Sequence, residues 1–198
     1  MKNFYSAILE EVQSTIKKAG DEQLHSELYK DTLLEKFKVT PPELDSGRLA
    51  VEIKSKTITA SNAPEGFEFN PGDMVNYALY SIPVRGAVNI LQEKAATLFK
   101  KSNKFSLVEG HLFIEEYSFE KIENNEEVIA SVKAAMLRDL SFIEKLIHET
   151  QQEVRAFDSK LQEEIKIAIA AELEKRRKYA ETLNLLNPFD SVSERKII

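Results

Sequence analysis

Near the start of the chain, apolar residues recur at every fourth position. Ile8, Val12 and Ile16 share one face of a helix expected over residues 5–18, and Gly20 stops it. Leu24, Leu28, Leu33, Leu34 and Phe37 predict a second, less regular helix, ended by Thr40-Pro41-Pro42. The pattern then changes. Over residues 48–59, Leu49, Val51, Ile53 and Ile58 are interleaved with charged residues, and Thr57 and Thr59 suit a sheet, so a strand is expected. Residues 61–73, SNAPEGFEFNPGD, read as a long loop rich in proline, glycine and asparagine, in which Phe67 and Phe69 leave room for a short strand.

A second strand is expected over 74–84, MVNYALYSIPV. Neither of its faces is strongly polar, which fits burial on both sides or a helix over one face. Pro83 ends it, and Arg85-Gly86 turns the chain. Residues 88–99 fit either a helix or irregular structure. A third strand is expected over 105–117, FSLVEGHLFIEEY, with a bulge or bend at Gly110. Residues 119–125, FEKIENN, turn into the dominant feature of the chain, a helical stretch from about Asn124 to about Leu186.

That stretch carries an apolar seam through Val128, Val132, Met136, Leu140, Ile143, Ile147, Val154, Phe157 and Leu161. From Leu140 the spacing is heptad-like, with Thr150 filling the one gap. A second cluster, Ile165, Ile167, Ile169, Ala170, Ala171 and Leu173, lies in a different register. The change falls at Asp158-Ser159, either of which suits a helix cap. The pattern favours two helices bent or folded near Asp158, their seams burying each other, over one continuous rod. Asn187-Pro188-Phe189 ends the helix, and SVSERKII reads as a tail or linker. Its closing Ile197 and Ile198 suit the start of a further element or a docking contact. The expected class is therefore α+β. Residues 1–122 hold two helices and an antiparallel sheet of three or more strands, 123–189 a helical hairpin or coiled-coil arm, and 190–198 the tail. The chain shows no internal repeat.

Composition narrows the chemistry. The 198 residues are 42% hydrophobic and 30% charged, which excludes global disorder. A net charge of -6 and a pI of about 5.3 speak against nucleic-acid binding by bulk electrostatics. The absence of cysteine excludes disulfides, thiol nucleophiles and thiolate metal sites, and suits a cytoplasmic protein. His25, His111 and His148 are far apart in sequence. The opening MKNFYSAILEEV has no signal-peptide core, and no run approaches the roughly 18 apolar residues of a membrane span.

Candidate chemistry is sparse. Glu52-Ile53-Lys54 puts a carboxylate and an ammonium on one face of a strand, because side chains alternate. That pair, with a further aspartate, is the metal-binding arrangement of restriction-type nucleases. Asp45 and Asp73 are the aspartates nearest to it, but neither lies on a preceding strand. Glu109, His111, Glu115 and Glu116 form a second acidic candidate. Arg85 beside Gly86 could hold an anion, and Tyr77, Tyr80, Phe105, Phe113 and Tyr117 could line a groove, although strand aromatics are core residues first. Lys175, Arg176, Arg177 and Lys178 form a basic cluster, which Glu172, Glu174 and Glu181 neutralise. No glycine-rich phosphate loop is present.

Three segments carry a resemblance. They are NYALYSIPVRGAVNILQEKAATLF (76–99), FSLVEGHLFIEEYSF (105–119) and VRAFDSKLQEEIKIAIAAELEKRRKYAETLNLLNPF (154–189). The chain resembles the N-terminal region of a group of bacterial proteins linked to phage defence, many of which continue into a restriction-endonuclease-like domain. Asp158 stands where that group usually has asparagine, and Asn187 where it has glycine. The resemblance spans about 41–189 and implies no catalytic residue. It implies that any chemistry belongs to a following domain or another polypeptide, while this chain senses, assembles or regulates. The expected role is thus a protein-interaction, oligomerisation or regulatory module without cofactor. Its partner is itself or another protein of the same system, with no membrane partner. The expected interaction residues are Leu140, Ile143, Ile147, Val154, Phe157, Leu161 and Ile165 on the seam, with Arg176 and Arg177. The alternatives are a metal-dependent nuclease using Glu52 and Lys54, or a nucleic-acid-binding module using 175–178.

Overall fold

The structure, a computed structural model, describes residues 2–63 and 67–187. The tail expected over 190–198, together with Pro188 and Phe189, lies outside the described residues. The chain divides into two compact units. One is Val39–Arg155, and the other joins Lys2–Lys38 to the described part of Ala156–Ile198.

Val39–Arg155 is built on an antiparallel sheet. Its strands are β1 (Glu43–Leu44), β2 (Ala50–Thr57), β3 (Met74–Arg85), β4 (Phe105–Val108) and β5 (His111–Ser118), with helix α4 (Val88–Ser102) between β3 and β4. The hydrogen-bonded order is β1-β3-β5-β4, and β2 also pairs with β3. In register, β2 runs from Ala50 opposite Ser81 to Thr57 opposite Met74, and β5 from Ser118 opposite Asn76 to His111 opposite Pro83. The α+β class with a long C-terminal helix is thus present. One open reading within it is resolved and one expectation corrected. Residues 88–99, ambiguous in sequence, are helical. The single third strand is two strands, because Gly110 makes a hairpin turn and not a bulge. Glu109 and Gly110 have φ of 50° and 75°, the paired positive values of a type I′ turn. Phe67 and Phe69 belong to no strand.

Gly86 is required where it stands. Its φ is +80°, and a Cβ there would lie 2.1 Å from the Pro41 carbonyl oxygen. The chain leaves β3 through this contact, and the Ala87 amide donates to the Thr40 carbonyl at 2.9 Å.

Helix α5 runs from Glu126 to Leu186. Asn125 caps it, its Oδ1 accepting from the Val128 amide at 3.2 Å, and Glu126 and Glu127 complement the helix dipole. Neither glycine nor proline occurs in the 61 residues, so nothing local breaks the ladder. The helix break expected at Asp158 is absent. The change of register is real, but it is a rotation of the buried stripe. Phe157, Leu161, Ile165 and Ile169 are buried at four-residue steps. At about 100° per residue, each such step turns the stripe by roughly 40°. Thr150 completes the stripe, buried, with its hydroxyl donating to the Leu146 carbonyl at 2.7 Å.

The core of Val39–Arg155 lies between one sheet face and two helices. Ile82, Leu112 and Ile114 from the sheet meet Leu91 of α4 and Met136, Ile143 and Ile147 of α5. A smaller cluster joins Ala78, Ile122 and Val132. In the other unit, α1 (Lys2–Lys18), α2 (Asp21–Leu24) and α3 (Glu27–Phe37) contribute buried Val12, Ile16, Leu24, Leu33 and Phe37. There Tyr5 packs on Phe157 with ring centroids 4.4 Å apart.

Candidate functional site

Strand parity divides the sheet into two unlike faces. Ala78, Tyr80, Ile82, Leu112, Ile114 and Glu116 point toward the helices; Glu52, Lys54, Lys56, Tyr77, Glu115 and Tyr117 share the other face. On that second face Lys56 Nζ donates to Glu115 at 2.5 Å and to the Tyr117 hydroxyl at 2.7 Å. It also sits 5.0 and 4.8 Å from the Tyr77 and Tyr117 ring centroids, within cation–π reach. Burial, and then a hydrogen bond donated to Glu115, push the Tyr117 phenol well above its ordinary value. Phe67 stacks on Phe119 at 5.1 Å and tilts against Tyr117 at 5.5 Å. The five aromatics do not line one groove, since parity sends Tyr77 and Tyr117 to one face and Tyr80 to the other. Phe105 packs on Phe99, and Phe113 lies beside His111.

The Glu52–Lys54 pair exists as expected. Lys54 Nζ lies 2.7 Å from Glu52 Oε2, and that hydrogen bond holds the ammonium above its usual value. Neither aspartate joins it. Asp45 binds Arg85 at 2.6 Å, and Asp73 accepts from the Asn70 amide at 2.7 Å. Arg85 is therefore already occupied by a carboxylate. Glu115 and Glu116 point to opposite faces, and His111 Nδ1 contacts the Glu109 carbonyl at 3.2 Å. Among the described residues, no three histidine or acidic groups are placed to hold a metal ion. No helix among them is long and apolar enough to cross a membrane.

On the helix-covered face, a polar cluster borders the core, with Glu116 buried and Lys104 and Asp139 partly exposed. Lys104 Nζ lies 2.8 Å from Glu116 and also contacts Asp139 of α5. Burial pushes the Glu116 carboxyl up to about 7, against the opposing hydrogen bond from Lys104. Its Oε1 is buried without a hydrogen-bond partner among the described residues, which a proton-bearing carboxyl tolerates better than a carboxylate.

The seam residues Ile143, Ile147, Val154, Phe157, Leu161 and Ile165 are all buried within the chain, and Leu140 is partly buried. Arg176 binds Asp21 at 2.6 Å and Glu172 at 2.9 Å, and donates to the Lys17 carbonyl. Arg177 contacts Glu174 and Glu181, Lys178 contacts Glu174, and Lys175 contacts Glu172. Every cation of 175–178 thus has a carboxylate within 4 Å.

Exposed apolar surface lies elsewhere. A groove of about 440 Å³ runs between β2 and α5. Leu49, Val51 and Ile53 form one wall, Ile129, Lys133 and Leu137 another, with Ala78 and Tyr80 also lining it. Val51 and Leu137 are 53% and 54% exposed. The signal was present in sequence, because Ile129 and Leu137 are eight residues apart on one helix face, off the seam. Comparison with family models, curated proteins and solved structures returned no match.

Proposed function

We propose that the chain is a protein-assembly module without catalytic activity of its own, which associates through the sheet edge formed by β2 and the groove beside it. The observation that carries this reading is the exposed apolar groove of about 440 Å³, bounded by an edge strand and by residues of α5 that lie off the buried seam. Large apolar side chains grouped around one concave surface mark interaction sites more often than isolated exposed ones do. The surface left to a partner is therefore this groove and not the seam named from the sequence, which is spent on packing inside the chain. The resemblance to phage-defence proteins supports antiviral defence as the setting, with the chemistry supplied by another domain or polypeptide.

Light scattering on the full chain over a range of concentrations tests the reading. The mass should rise above the 22.6 kDa of one chain. Ile129→Lys combined with Leu137→Lys should return it to one chain without loss of helical signal. A wild-type mass of one chain at every concentration would remove the proposal.

A further inference from the structure

The occupant of this groove can be named from β2 itself. Resting on the assembly reading above, we infer that a second copy of this chain pairs along β2, antiparallel, in the register that sets Ile53 opposite Ile53.

The edge is open. β2 pairs with β3 over its whole length, and no other described strand pairs with it. Seven of its eight residues are exposed. A long open edge is ordinarily protected by charge, lysine above all, because any passing strand can extend the sheet. Lys54 and Lys56 have that character, but Glu52 changes what the edge selects. Around a two-fold axis perpendicular to the sheet, one residue faces its own copy, and directly opposed side chains share a face. With Ile53 at the axis, Glu52 lies opposite Lys54 of the second copy and Lys54 opposite its Glu52, while Lys56 faces Ala50. Two opposite-charge pairs form on one face. On the other, Ile53 meets Ile53 beside Val51.

Neighbouring registers lose on charge or on apolar pairing. A shift of one residue sets Glu52 against Glu52, or Lys54 against Lys54; the second also sets Glu52 opposite Lys56, but it draws Lys56 away from Glu115 and puts Ile53 opposite Ser55 in place of Ile53. A shift of two, centred on Val51, leaves Glu52 opposite Ala50. The motif Glu52-Ile53-Lys54 is therefore a self-complementary code. The same axis keeps both copies of α5 on one side of the joined sheet, where Ile129 and Leu137, 44% and 54% exposed, border the junction.

Sedimentation of the full chain tests this with charge reversals at two exposed positions, after circular dichroism has shown each variant folded. E52K alone and K54E alone each place like charges opposite one another, and should weaken self-association by roughly tenfold or more. Mixing the two singles in equal amounts restores both opposite-charge pairs and should restore the dimer. The double variant E52K/K54E should also dimerise with itself. A wild-type dimer indifferent to both single reversals, or singles that fail to associate when mixed, would overturn this interface and leave the assembly reading standing. A wild type that stays at one chain would overturn both.

Discussion

Glu116 shows how one buried group sets a pH dependence. Its carboxyl titrates near 7 in the folded chain against an ordinary 4.5, because burial disfavours the charged form. Between those values the folded state binds more protons than the unfolded one, so stability falls as pH rises. The contribution is full below about pH 4.5 and lost as pH passes 7. A shift of this size corresponds to at most about 3 kcal/mol. Urea unfolding of wild type and Glu116→Gln from pH 4.5 to 8 should show a flatter profile for the variant; parallel profiles would refute the assignment. Glu109 offers the opposite kind of change. Its φ of 50° is costly for a glutamate and ordinary for asparagine, so Glu109→Asn should stabilise the β4–β5 turn by about 0.5–1 kcal/mol in the same measurement. Gly86→Ala should be destabilising by more than about 2 kcal/mol, since it adds a collision with the Pro41 carbonyl to the backbone strain.

At the level of elements, α5 separates what the sequence made legible from what it hid. Its extent was visible because no helix breaker interrupts it, and its buried seam was visible because apolar spacing follows the helical period. Its continuity past Asp158 was not, because a drifting stripe and a pair of packed helices leave similar patterns. Asp158→Pro decides between them. Within a continuous helix it should cost about 3 kcal/mol or more, whereas in a turn it would be tolerated. The β4–β5 hairpin is hidden in the sequence for a related reason. Glu-Gly is a weaker turn signal than Asn-Gly, and apolar alternation continues through it. The partly buried Lys104–Glu116–Asp139 cluster had no signal, since its members are far apart in sequence and meet only through the fold. The Glu52–Lys54 pair was legible, whereas the occupation of Asp45 and Asp73 by other partners was not.

For the whole molecule, electrostatics disfavour phosphate-led binding of nucleic acid. The net charge is -6, and the cluster at 175–178 spends its cations on neighbouring carboxylates. Duplex DNA should therefore not be retained by the full chain at moderate salt. An affinity that falls steeply with salt in a filter-binding assay would show a phosphate-led contact instead.

The division of the chain into two units has a further consequence for its evolution and engineering. Domains that are exchanged between genes usually meet in exposed linkers. Here the border between Arg155 and Ala156 falls inside α5. A cut there would create two new helix ends, each with up to four backbone groups stripped of their partners. Recombination at that border is thus penalised by the backbone itself.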